Sequence, residues 1–61
     1  MDMFTPSSII QFRTERGLSQ REMAELLGVD QGTVSKMETG KIRPSGPVER
    51  LLSLLSREAA E

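Results

Sequence analysis

Gln31, Thr33, Ser35 and Lys36 stand within one short segment, QGTVSKME, and each carries a hydrogen-bonding side chain. A glutamine amide can make two hydrogen bonds to adenine, and a lysine ammonium can donate to O6 and N7 of guanine. Val34 and Met37 are interleaved at helical spacing, which places this apolar pair on one face and Gln31 and Lys36 on the opposite one. Arg21, Lys41 and Arg43 bracket the segment with cations suited to phosphate. This is the chemistry of recognition. Catalysis has little to work with: the 61 residues include no His and no Cys, so neither a Cys/His zinc site nor a His-based nucleophile relay can be assembled. Glu38 has no second acid or metal ligand beside it. No enzyme, catalytic residue, metal or cofactor is expected.

The segment needs elements to hold it. Ser19 and Glu22 form an S-x-x-E capping box, which opens a helix. Met23, Ala24, Leu26 and Leu27 supply its apolar face, and Ala24 is small where two helix axes must cross closely. Gly28 accepts the left-handed conformation of a sharp reversal, and Asp30 caps the next helix, which Gly40 ends. Upstream, Thr5-Pro6 is a helix start with proline at the first helical position. Ile9 and Phe12 face inward there, while Ile10 lies off the stripe, either as a second core contact or as part of a protein interface. Downstream, the prolines and glycine of KIRPSGP make a stiff, non-helical loop, with Ile42 expected in the core. Ser45 caps the last helix, and Val48, Leu51, Leu52 and Leu55 follow at i, i+3, i+4 and i+7. The expectation is one all-α domain over residues 1–61, a compact four-helix bundle containing a helix-turn-helix, with helices at about 6–16, 19–27, 31–39 and 46–57.

Length allows one small core that buries only about 60% of the unfolded chain's surface. No apolar run reaches the length of a membrane span and no signal-peptide core is present, so a cytoplasmic protein is the default. The net charge of −1 counts against nucleic-acid binding. Its distribution counts for it: Arg21, Lys36, Lys41 and Arg43 group around the recognition segment, whereas Glu49, Glu58 and Glu61 fall in the last helix and tail. Weak non-specific binding follows from that segregation.

The run GLSQREMAELLGV followed by TVSKMETGK resembles the helix-turn-helix of the Cro/phage-repressor (XRE) family of DNA-binding domains, with Ala24, Gly28 and Val34 at the small, turn and core positions. The resemblance extends from Ile9, Phe12 and Arg13 to the Pro44 loop. It implies that the third helix enters the major groove at its N-terminal end. The first, second and sixth positions of that helix usually read bases in the family. Here these are Gln31, Gly32 and Lys36, and Gly32 departs from the pattern by having no side chain to read with. Thr33 and Ser35 join the base-reading set. Gln20, at the start of the second helix, is implied as a DNA-backbone contact with Arg21, and Lys41 and Arg43 as phosphate clamps. Arg13 is implied to pair with Glu38 in a structural ion pair.

The ending GKIRPSGPVERLLSLL is similar to those of small helix-turn-helix antitoxins and anti-CRISPR-associated regulators, which are typically autorepressors. The function expected is a sequence-specific regulator, a homodimer that occludes an inverted-repeat operator in double-stranded DNA. Ile10, Leu54 and Ala59 are candidate dimer contacts. The alternative is an antitoxin or interaction module whose main partner is a protein.

Overall fold

Each helix starts where a side chain offers an acceptor to the otherwise unpaired N–H groups of the first turn. A computed structural model describes residues 4–59, with side chains as far as 57, and contains four helices and no strand among them. In α1 (Pro6–Glu15), Thr5 Oγ1 accepts from the Ser8 N–H at 3.2 Å. In α2 (Gln20–Leu27), Ser19 Oγ accepts from the Glu22 N–H at 3.0 Å, and Glu22 Oε1 accepts from the Ser19 N–H at 2.9 Å. In α3 (Gln31–Glu38), Asp30 Oδ1 accepts from the Thr33 N–H at 2.7 Å. In α4 (Gly46–Ala59), Ser45 Oγ accepts from the Val48 N–H at 3.5 Å. Such caps contribute ~1 kcal/mol each. They matter because α2 and α3 have eight residues apiece, well below the ~12–15 at which an isolated helix becomes even marginal in water.

Packing supplies the rest. Ile9 and Phe12 of α1, Met23, Ala24 and Leu27 of α2, Val34 and Met37 of α3, and Val48 and Leu52 of α4 form one buried cluster. Phe4, Leu18, Val29, Leu51 and Leu55 cover its edges. Two glycines fix the turns that bring α3 into place. Gly28 takes φ 72° at the end of α2, so that the Val29 N–H donates to the Ala24 carbonyl at 2.9 Å. Gly40 takes φ 82° after α3, and a Cβ there would sit 3.5 Å from Cγ of Pro6. The end of α3 therefore lies against the start of α1, in a backbone conformation that other residues adopt only with strain.

Two apolar side chains expected inside, Leu26 and Ile42, lie outside, and so does Ile10, whose place the sequence left open. Leu26 is 42% exposed, because the α2 stripe centres on Met23, Ala24 and Leu27 and Leu26 is turned about 100° back from Leu27. Ile10 is 38% exposed for the same reason, turned about 100° from Ile9 and away from Phe12, so it is not a second core contact. Ile42 is 41% exposed. It does not plug the core but lies at the rim of a hollow of about 230 Å³, with Pro6, Ile9, Met37 and Pro44 among the other lining residues. Arg16 is a contact that helix periodicity does not reveal. Its guanidinium lies 3.6 Å from the centroid of the Phe12 ring, and its two terminal nitrogens donate to the carbonyls of Phe12 and Leu55, each at 3.2 Å. A cation thus satisfies carbonyls of α1 and α4 and ties the two helices together.

The charged contact of the interior joins three helices. Arg13 Nε donates to Glu38 Oε2 at 2.7 Å and Nη2 donates to Oε1 at 3.3 Å, a two-point pair between α1 and α3. Arg13 Nη1 donates to the Leu18 carbonyl at 2.9 Å, and Gln20 Nε2 of α2 donates to Glu38 Oε1 at 3.0 Å. The side chains are 18% and 5% exposed. Burial alone would raise the Glu38 carboxyl, but the hydrogen bonds from Arg13 and Gln20 and the Arg13 charge outweigh it and hold the group below the ordinary glutamate value of 4.5.

A folded-state value below the unfolded one means that this contribution to stability is complete above about pH 4.5 and is lost as pH falls through the lower folded value. Glu38→Gln keeps the shape and one acceptor but removes the charge. At neutral pH it should melt on the order of 10 °C lower than the parent, from the loss of a charge-assisted bond in a chain this small. Its melting temperature should also fall less steeply on acidification. Circular-dichroism melts from neutral to acidic pH test this, and parallel acid limbs in the two proteins would assign the loss to other carboxylates.

Candidate nucleic-acid interface

The recognition segment is divided between two faces of α3. Val34, Met37 and Glu38 are buried, whereas Gln31, Gly32 and Lys36 are exposed and Thr33 and Ser35 are half-buried. The five base-reading candidates are thus unequal. Gln31 and Gly32 open the helix on the solvent side, and Lys36 extends from its last turn. No Cβ would clash badly at Gly32, where the nearest atom is Asp30 Oδ1 at 3.4 Å, so the helix surface there is flat and open. Thr33 is held back against the cap. Hydrogen bonds from its hydroxyl and its N–H, with the positive charge of Lys36, hold the Asp30 carboxyl below its ordinary range against a smaller opposing effect of burial. Ser35 gives its carbonyl to the Thr39 N–H at 3.0 Å and the Thr39 hydroxyl at 3.1 Å.

The loop that follows is anchored to the same helix. The Lys36 carbonyl accepts from the Lys41 N–H at 2.9 Å and from the Thr39 hydroxyl at 3.2 Å. Lys41 and Arg43, both exposed, therefore leave the protein directly beyond the end of α3. Between Gln31 and Ser45 the sole acid in the sequence is Glu38, and it is buried against Arg13. Every exposed side chain from α3 through the loop is consequently neutral or positive. That resolves the apparent conflict with a net charge of −1: the cations Lys36, Lys41 and Arg43 stand together, and the acid among them is internally neutralised.

Gln20 and Arg21 begin α2, where free N–H groups and the helix dipole favour an anion. The two are fixed to different degrees. Gln20 is half-buried, with one of its amide hydrogens directed to Glu38; an amide nitrogen has a second hydrogen to give. Arg21 is exposed on the surface, with Glu25 4.0 Å away one turn on, an exposed pair of little energetic weight. The Gln20–Glu38 bond is the feature of the site that sequence reasoning missed. The two residues are 18 positions apart, and nothing local to either one signals the contact.

Of the candidate dimer residues, Ile10 and Leu54 are both exposed, on α1 and α4. Leu54 lines a groove with Gly46, Glu49, Arg50, Ser53 and Arg57 in which Ile10 has no part. The side chain of Ala59 lies outside the described residues. Among the described residues no group of three potential metal ligands is found, and no helix is long and apolar enough to cross a membrane.

No curated protein and no solved structure gives a significant match to the chain. The family model described as Helix-turn-helix does match, over residues 9–58, from the first buried side chain of α1 to the last turn of α4. With that match covering most of the chain, and with two capped eight-residue helices set by the Gly28 turn, the chain belongs to the Helix-turn-helix family of Cro/repressor-like domains, and it is a DNA-binding regulator.

Proposed function

We propose that this regulator is a sequence-specific repressor of its own promoter, acting as a dimer on an inverted-repeat operator. The observation that carries the reading is the continuous neutral-to-positive surface of α3 and its loop, with the sole acid of that stretch turned inward. The N-terminal end of α3 enters the major groove, where Gln31 and Lys36 read base edges and Thr33 and Ser35 make supporting contacts. At Gly32 the helix backbone approaches the DNA closely. Gln20, Arg21, Lys41 and Arg43 hold the phosphates and set the register without carrying sequence information. In a symmetric dimer the two α3 helices lie about 34 Å apart, in successive major grooves. Repression then requires nothing beyond occupancy of the promoter. The chain works in the cytoplasm, without a cofactor and without catalysis.

A gel shift on the DNA immediately upstream of the coding region, against random DNA at two salt concentrations, tests the reading. Saturable, salt-sensitive binding confined to the upstream fragment is expected, and equal weak binding to both fragments would remove autoregulation. Lys36→Ala should relax preference at one base position, a loss of ~1–3 kcal/mol of discrimination. Equal losses on operator and random DNA would show that Lys36 reads no base. Arg43→Ala should weaken binding to all sequences and reduce the slope of log affinity against log salt by about one. An unchanged slope would take Arg43 out of the phosphate contacts.

A further inference from the structure

The N-terminal end of α3 carries an acid and a glycine that capping and backbone geometry do not require. Asp30, the residue before the helix, is exposed and adjoins a surface that is otherwise neutral or positive. It forms no ion pair with a described residue. Its cap does not call for a charge, because serine, threonine and asparagine accept the same N–H. Gly32 lies in the first turn of α3 without a positive φ, so the backbone there does not need glycine, and glycine is among the poorest helix formers. What it provides is space. A Cβ at position 32 would lie 3.4 Å from Asp30 Oδ1, the oxygen that accepts from the Thr33 N–H at 2.7 Å. Any longer side chain would start beside that carboxylate. With none, the carboxylate is open to whatever meets this end of the helix.

We propose that Asp30 reads a cytosine: its carboxylate accepts from the N4 amino group of one cytosine in the major groove, and Gly32 is the opening through which that base edge reaches it. The inference rests on the base-reading role of α3 above and adds a residue to it. The hydroxyl and N–H of Thr33 hold the Asp30 carboxyl below its ordinary range, so at neutral pH it is ionised and can only accept. A carboxylate has about four acceptor sites, and Thr33 accounts for two at most. The others need a donor. In the major groove guanine shows acceptors alone, thymine shows an acceptor and a methyl group, and adenine sets the N7 acceptor next to its amino group. Cytosine shows a donor with no acceptor beside it, and it is the base a carboxylate selects. Phosphate repels the same group, which excludes Asp30 from the backbone contacts assigned to Lys41 and Arg43. An aspartate side chain is short, so it reaches a base only where the helix sits close to the floor of the groove. The missing side chain at position 32 permits that approach.

A randomised double-stranded DNA library, selected separately on the parent, on Asp30→Asn and on Asp30→Ser, tests this. Both variants keep a capping side chain, and Asp30→Asn also keeps the shape. The parent should enrich a motif with a C·G pair at one position and bind it about tenfold tighter than the same site with T·A there. In both variants that ratio should fall below about threefold, while preferences at the other positions of the motif hold. A motif without cytosine, or one whose cytosine both variants keep at full strength, would overturn the proposal. So would a uniform gain in affinity with every ratio unchanged, the mark of a carboxylate that merely repels phosphate. A parent that enriches no sequence would sink the repressor reading and this inference with it. A parent with a clear motif that is insensitive to position 30 would sink this inference alone.

Discussion

The arrangement of the first three helices depends on one buried carboxylate. Glu38 receives Arg13 from α1 through two nitrogens and Gln20 from α2 through its amide, while Arg13 also caps the Leu18 carbonyl between those helices. A charge taken out of water is tolerated only when its lone pairs are met by donors. Here both oxygens are met, and among the described residues no buried side-chain polar atom lacks a partner. Such a pair adds little net stability over a well-packed apolar pair of the same volume. Its value is directional, because apolar packing tolerates a small rotation of α3 and a two-point guanidinium bond does not.

That constraint matters more in a small domain. The core contains two or three buried apolar side chains from each helix, and two of the helices are too short to persist alone. Local signals and tertiary contacts are therefore matched one to one. Each helix has a cap at its start, each turn into and out of α3 has a left-handed glycine, and each neighbour meets α3 through a buried side chain. Arg16 performs for α1 and α4 what Arg13 performs for α1 and α3, with carbonyls and an aromatic face as its acceptors in place of a carboxylate.

The same pair has an electrostatic consequence for the recognition surface. An exposed glutamate at position 38 would stand on the same helix as Lys36 and beside Lys41 and Arg43, repelling phosphate. Turned inward against Arg13, it leaves the surface positive although the whole chain is slightly acidic. The packing of the fold and the charge of the surface formed by α3 and its loop are set by one interaction. Gln20 shares in it, so the start of α2 and the end of α3 are held in a common frame.

Much of this was legible in the order of residues, for a physical reason. A cap, a glycine turn or an apolar stripe is decided within one or two turns of chain, so Thr5, Ser19, Asp30, Ser45 and Gly28 announce their helices wherever the chain goes next. The family, too, is a matter of spacing between such signals. Periodicity was less reliable for side chains at the edge of a stripe. Leu26, Ile10 and Ile42 are as apolar as their buried neighbours, and only the rotation of each element against the others places them outside. Contacts across long stretches of chain were beyond local reasoning altogether. The Gln20–Glu38 bond spans 18 residues and the Arg16–Leu55 bond 39, and neither exists until the helices have met. The sequence by itself determined where helices begin and turn, because those choices are local. The tertiary structure alone decided which charges face inward and which polar groups share a partner, because burial is a property of the assembled surface.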